Sequence, residues 1–167
     1  MSKHTDDTAP NADTRNTGSN SPNSDQRLSL GVDIGGTHIS AALLLDNQLI
    51  TDTLRRIPVD PRGDAPMLLD TWAGLINAVM GLAPATQNVS GIGIAMPGPF
   101  DYLNGISMIR GLDKYESLYG INIREALRER LAAPGSTTPV SGTQSLAAPT
   151  IPISFGNDAA CFGLGEA

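Results

Sequence analysis

The spacing of apolar residues changes period several times along this chain, and each change predicts an element. In "LSLGVDI" (28–34), Leu28, Leu30, Val32 and Ile34 alternate with smaller or polar positions, the period of a half-buried strand. "HISAALLL" (38–45) continues as a second strand, and Asp46-Asn47 fits a two-residue hairpin turn into "QLITDTLRR" (48–56). The chain is therefore expected to open with three sequential strands in an antiparallel meander. From 64 to 82 the period lengthens: Met67/Leu68, Thr71/Trp72, Leu75/Ile76 and Val79/Met80 form one helical stripe. Asp64 is placed to cap that helix, Pro66 sits in its first turn and Gly81 lies near its end. "VSGIGIAM" (89–96) predicts a buried strand. "NIREALRERL" (122–131) predicts a helix with capping-box spacing at Asn122 and Glu125 and a shared face of Ile123, Leu127 and Leu131. "TIPISF" (150–155) predicts a last strand, and "NDAACFGLGEA" (157–167) the opening of a helix. Meander, helix, strand, helix, strand is the order of an α/β fold with a mixed sheet.

Two stretches carry no such period. Residues 1–27 are Ser, Thr, Asn and Asp with almost nothing to bury, which predicts a disordered polar tail. Residues 131–150, rich in Pro, Gly, Ser and Thr, predict a long surface loop between a helix and a strand.

Composition narrows the class. The 167 residues are enough for one domain with a core. A net charge of -6, with no Lys/Arg cluster, argues against a nucleic-acid surface. The single cysteine, Cys161, excludes an internal disulfide framework and fits a reducing compartment. No apolar run is long enough to cross a bilayer, and the start has neither a basic region nor an apolar signal core. The expected location is cytoplasmic, so Asn88-Val89-Ser90 is not taken as a glycosylation site.

The candidate chemistry sits in three segments that share one feature: glycine with a carboxylate or amide just past a strand. They are "DIGGTH" (33–38), "MPGPFD" (96–101) and "GNDA" (156–159). In open α/β sheets ligands gather where strands end, so the three predict one convergent site. Gly35 and Gly36 permit positive φ and leave backbone N–H groups uncovered, a concavity of donors suited to phosphate. Thr37 adds a hydroxyl, and Asp33 could hold a hydrated Mg²⁺ beside the phosphates. A plain tight hairpin explains Gly-Gly equally well. The Walker A spacing is absent, and "GIGIAM" lacks the third glycine of a dinucleotide fingerprint. Pro97-Gly98-Pro99 predicts a stiff turn whose Gly98 lets another group approach. Asp158 fits either a helix N-cap or a general base for a hydroxyl nucleophile, with Asn157 beside it.

Taken in order, "LGVDIGGTHIS", "GIGIAMPGPFD" and "GNDAACFGLGE" resemble the ROK family of sugar kinases and repressors, over roughly residues 28–167. The resemblance implies an actin-like ATPase (ribonuclease H-like) domain and the N-terminal part of such a protein. It implies that Asp33-Ile34-Gly35-Gly36-Thr37 is the first phosphate loop for ATP with Mg²⁺. It implies that Pro97 and Gly98 lie near a hexose-class sugar, that Asn157 binds its hydroxyls, and that Asp158 is the catalytic base and also touches the sugar. The pattern departs at His38, where the family often has Lys, and at Gly156, where Glu commonly precedes the Asn-Asp pair. Asp113, Lys114 and Glu116 lie in "MIRGLDKYESLYG" (108–120), read as a solvated surface loop within reach of a sugar.

Family members continue into a second domain with a His/Cys zinc site, further sugar contacts, the adenosine pocket and most of the dimer interface. The sequence ends at Ala167, so that domain is expected to be missing, no zinc ligands are assigned, and a homo-oligomer is expected only for a full-length form. The leading expectation is a sugar kinase fragment with little activity alone. The alternatives are a ROK sugar-sensing regulator without its DNA-binding domain and a non-catalytic truncated product. Residues 1–27 are too short and polar for a helix-turn-helix.

Overall fold

The computed structural model describes residues 26–131 and 151–157. Strand β1 (Leu28–Ile34) pairs antiparallel with β2 (His38–Leu45), in register from Leu28↔Leu45 to Ile34↔Ile39. At the far end Asp46 and Asn47 take φ values of 50° and 65°. Both lie in the left-handed region, which a two-residue turn matching the strand twist requires. Arg27 N–H donates to Asp46 Oδ1 (2.9 Å), and Asp46 N–H donates to Arg27 O (3.0 Å), so the hairpin register is pinned from outside the turn.

The third strand is not continuous. It is split into β3 (Gln48–Leu49) and β4 (Arg55–Pro58), both paired antiparallel with the same edge of β2, with a 3₁₀ turn at Thr51–Thr53 between them. The cause is Thr53. Its buried hydroxyl accepts from Leu43 N–H (2.9 Å) and donates to Ile50 O (2.7 Å), replacing backbone pairing where the chain bulges out.

Helix α1 (Ala65–Met80) begins as the sequence predicts. Asp64 accepts from Met67 N–H (2.8 Å), and Pro66 stands in the first turn. Gly81 caps the end with φ −65°, so its achirality is not used there. Strand β5 (Ile92–Met96) is shorter than the predicted run and lies parallel to β1. A small hairpin that the sequence did not announce follows, β6 (Phe100–Asp101) with β7 (Ile106–Ser107). Helix α2 (Ile123–Leu131) is capped by Asn122, whose Oδ1 accepts from Glu125 N–H (3.1 Å). Strand β8 (Ile153–Asn157) is parallel to β5. It starts after Pro152 and runs two residues beyond the predicted end.

The sheet order is β3-β2-β1-β5-β8, with β4 also on β2, a mixed sheet as expected. Leu28, Leu30, Val32 and Ile34 join Ile39 and Leu43, Ile92, Ile94 and Met96 on one face. There they bury against Leu68, Trp72, Ile76 and Val79 of α1 and Ile123 and Leu127 of α2. Each fully buried aliphatic side chain of this kind stabilises the fold by roughly 1.5–3 kcal/mol. The other face carries small residues in rows set by the register, Ser40–Asp33–Ala95–Gly156 being the row nearest the strand ends.

Residues 1–25 of the tail expected over 1–27, residues 132–150 of the loop expected over 131–150, and the expected helix opening from Asp158 on, with Cys161, lie outside the described residues.

Candidate functional site

The carboxyl ends of β1, β5 and β8 lie side by side. Asp33 pairs with Ala95, Ala95 with Gly156, and Met96 with Asn157. The three glycine-bearing segments predicted to converge are therefore neighbours along one sheet edge.

At the β1 end, Gly35 N–H donates to His38 O (2.9 Å) and closes the hairpin, leaving Gly36 and Thr37 exposed at its tip. Two details correct the expectation for this turn. Neither Gly35 nor Gly36 adopts a positive φ, although Gly35 N–H closes the turn on His38 O. Gly35 N–H is also already used within the turn, so the pair does not offer two free donors. What glycine supplies is space. A Cβ on Gly35 would meet His38 O at 3.2 Å, and at Gly36 a Cβ would point into open surroundings and cover the tip. Thr37 Oγ1 lies 2.8 Å from His38 Nδ1, so His38 holds the hydroxyl beside the turn.

The turn is tied to the core from below. Val59 N–H donates to Thr37 O (2.8 Å), and the Tyr115 hydroxyl donates to Gly35 O (2.5 Å). Tyr115 is fully buried, with φ 57°, and its ring meets Trp72 edge-on at 5.5 Å. Burial pushes the Tyr115 phenol up to about 12, and the Asp33 carboxylate adds to the rise. The segment 108–120, read from sequence as a solvated loop, is thus anchored: Ile109, Tyr115 and Leu118 are fully buried, and Tyr115 N–H donates to Pro61 O (2.6 Å). Asp113, one of its three predicted polar residues, pairs with Arg62, and the guanidinium holds the carboxyl below its usual range. Lys114 and Glu116 lie beside that pair, around a shallow crevice with Pro61 and Ser117.

At the β5 and β8 ends, the peptide Gly98-Pro99 is cis, and Pro97 is buried. Asn157 Nδ2 donates to the Tyr102 hydroxyl (2.9 Å), which donates in turn to Met96 O (3.1 Å). A Cβ on Gly98 would lie 3.3 Å from the Tyr102 hydroxyl and 3.9 Å from Asn157 Nδ2. Another group was expected to approach Gly98, and the group that glycine makes room for is the Tyr102 hydroxyl. Arg124 supports this end: Nε donates to Ile153 O (3.1 Å), and the guanidinium lies over Phe155 at 5.5 Å. Asp101 holds the β6–β7 turn through Asn104, whose side-chain amide, then backbone N–H, keep the carboxyl below its usual range.

Asp33 is exposed at the strand end, facing Ala95 and Gly156, which are too small to cover it. Among the described residues no cluster of three or more His, Cys, Asp or Glu could hold a metal ion. One open carboxylate fits a Mg²⁺ that keeps most of its waters and does not fit an all-protein cage. Two hollows of about 560 and 540 Å³ lie at the Asp46 end of the hairpin and over Gly31, Gly93 and Ser154, and neither reaches Gly36 or Asn157. Tyr115 and Tyr102 were missed by the sequence reading. Tyr115 stands in a polar run with no apolar period, and Tyr102 in a hairpin of two-residue strands.

Similarity to solved structures decides the fold. The chain superimposes on a ROK hexokinase from Thermus thermophilus with a TM-score of 0.60 and 21% identity, over 83% of this chain and 38% of that one. The fold is that of the ROK proteins. A ROK glucokinase from Streptomyces griseus, solved with glucose and AMPPNP, gives 0.59 and 18%, over 83% of this chain and 36% of that one. A ROK transcriptional regulator homologous to the E. coli MLC protein gives 0.58 and 16%, over 84% and 30%. No protein-family model and no curated protein matches the sequence. The chain thus spans between 30% and 38% of the length of these three ROK structures.

Proposed function

We propose that this chain is the N-terminal part of a ROK-type sugar kinase, contributing one wall of the site where ATP phosphorylates a hexose-class hydroxyl. The observation that carries this reading is the register row that sets Asp33, Ala95 and Gly156 side by side, with the bare Gly36 tip at one end and Asn157 at the other. Phosphoryl transfer needs little covalent help from protein: phosphate donors, a metal, and a base in line with the acceptor. Gly36 and Thr37 would meet the phosphates, and Asp33 would hold the hydrated Mg²⁺. Bound MgATP supplies the γ-phosphoryl group and the charge that neutralises its oxygens. Asn157 would hold a sugar hydroxyl beside Pro97 and Gly98, and Asp158 would take the proton from the attacking one. The regulator reading keeps the sugar site and gives up the chemistry, and Asp158 favours the kinase. In this reading zinc and most dimer contacts belong to a further domain, the setting is cytoplasmic, and neither nucleic acid nor membrane is a partner. No described helix is long and apolar enough to cross a membrane.

The test is titration of the purified chain with glucose, N-acetylmannosamine and Mg-AMPPNP. Asn157→Ala is expected to lose hexose binding and keep the nucleotide, and Gly36→Val the reverse. Binding that neither substitution touches would sink the proposal. With one wall to orient donor and acceptor, the chain alone is expected to turn over ATP very slowly. Rapid hexose-dependent turnover, lost in Asp158→Asn, would contradict that expectation.

A further inference from the structure

We infer that Tyr115 is a positioning residue that aims the phosphate-binding donor of the turn, and this rests on the phosphate reading of Gly36. The argument is covalent. A trans peptide holds its C=O and its N–H on opposite sides of one plane. Gly35 O accepts from the buried Tyr115 hydroxyl at 2.5 Å, so the Gly36 N–H of the same peptide is turned away from the core. Gly36 is exposed, a Cβ there would meet nothing within 4 Å, and its N–H has no partner among the described residues. Gly35 N–H and Thr37 O are both committed, to His38 O and Val59 N–H, so the flanking groups cannot rotate to compensate.

Tyr115 itself has little freedom. Its side chain is fully buried, its ring meets Trp72 edge-on, and its own N–H is held by Pro61 O. A hydroxyl fixed by the core therefore sets the direction of a backbone donor on the surface. A two-glycine turn without that bond could flip the Gly35–Gly36 peptide and point a carbonyl oxygen, which repels phosphate, at the ligand. Tyr115 confers the phosphate preference that glycine alone leaves undetermined.

The experiment uses the full chain and Tyr115→Phe, which keeps the ring against Trp72 and removes only the hydroxyl. Mg-AMPPNP affinity is measured by calorimetry, and the Gly36 amide is followed by ¹⁵N resonance and hydrogen exchange without ligand. The expected result is about tenfold weaker nucleotide binding, a shifted and faster-exchanging Gly36 amide, and unchanged hexose affinity. A residue that merely fills the core would lower the melting temperature and leave both the Gly36 amide and the affinity as they were. That outcome overturns the inference. A changed Gly36 amide in a protein whose wild type binds no Mg-AMPPNP upholds the brace and overturns the proposed function alone. Should Tyr115→Phe not fold, Trp72→Phe withdraws the indole that holds the ring, and a smaller change in the same direction is expected. No change there overturns the inference as well.

Discussion

The two ends of the site are built in opposite ways. At the Gly36 end the proposed chemistry would belong to backbone groups, and buried side chains, Tyr115 and Trp72, hold them from the core. At the Asn157 end the proposed chemistry would belong to a side chain, and backbone carbonyls, Met96 O under Tyr102 and Ile153 O under Arg124, steer the groups that support it. The difference predicts where each end is vulnerable. The turn is sensitive to core substitutions far from any ligand, and the amide end is sensitive to its immediate, half-exposed neighbours.

The largest expected effect is at Trp72. Trp72→Ala empties the centre of the cluster and is expected to cost about 3–5 kcal/mol in urea unfolding. It should disturb the Gly36 amide well before the Asn157 side-chain amide, and equal disturbance at both ends would erase the comparison. Alkali should act on the same end. The Tyr115 phenol titrates near 12 in the folded protein and near 10 unfolded. Between those values the unfolded chain releases the proton and the folded one keeps it. Stability present below pH 10 is therefore lost as the pH rises toward 12, on the order of 1–3 kcal/mol. Tyr115→Phe should flatten that part of the unfolding profile, and an unchanged slope would exclude Tyr115 as its source.

A smaller effect is expected from Arg124→Ala, which removes the bond to Ile153 O and the stack on Phe155. About 1–2 kcal/mol of stability should go, and hexose affinity should fall while Mg-AMPPNP affinity holds. Loss of both would mean that the two ends are not separable. The smallest change is expected from Arg62→Ala. Its partner Asp113 is exposed, so the pair is screened by solvent and salt. The carboxylate's contribution is present at neutral pH and lost as the pH falls through its lowered range. The melting temperature near pH 7 should stay where it is, and a large drop would show that this surface clasp braces the turn after all.

The same contrast explains what was legible in the sequence. The alternation of Leu28 to Ile34 and the four-residue stripe from Met67 to Met80 gave β1 and α1 nearly whole, because one face of each is buried along its length. Asp64 and Asn122 announced their caps because capping is a local bond. The meander broke where Thr53 substitutes a hydroxyl for ladder pairing, which no period encodes. β8 reaches Asn157 because its partner β5 extends to Met96, a fact of pairing rather than of the string "TIPISF". For the proposed site, Gly36 and Asn157 were put forward from the positions of glycine and amide at strand ends. Of the two reasons offered for the glycines, positive φ is not used, and an uncovered N–H holds for Gly36 but not for Gly35. Tyr115 and Tyr102 stayed hidden because the segments that carry them have no repeating pattern, and their roles come from contacts 80 and 55 residues away.

The hairpin of β1 and β2, closed at the glycine turn, has a consequence in time. Residues 28 to 45 pair with their immediate neighbours in sequence, so this closure demands little loop entropy and belongs to the fast events of folding. The parallel pairing of β8 on β5 joins Ile92 to Ile153 across a far longer stretch of chain. A nascent molecule would therefore present its glycine tip early, while the asparagine meets Tyr102 only after the last described strand has found its place.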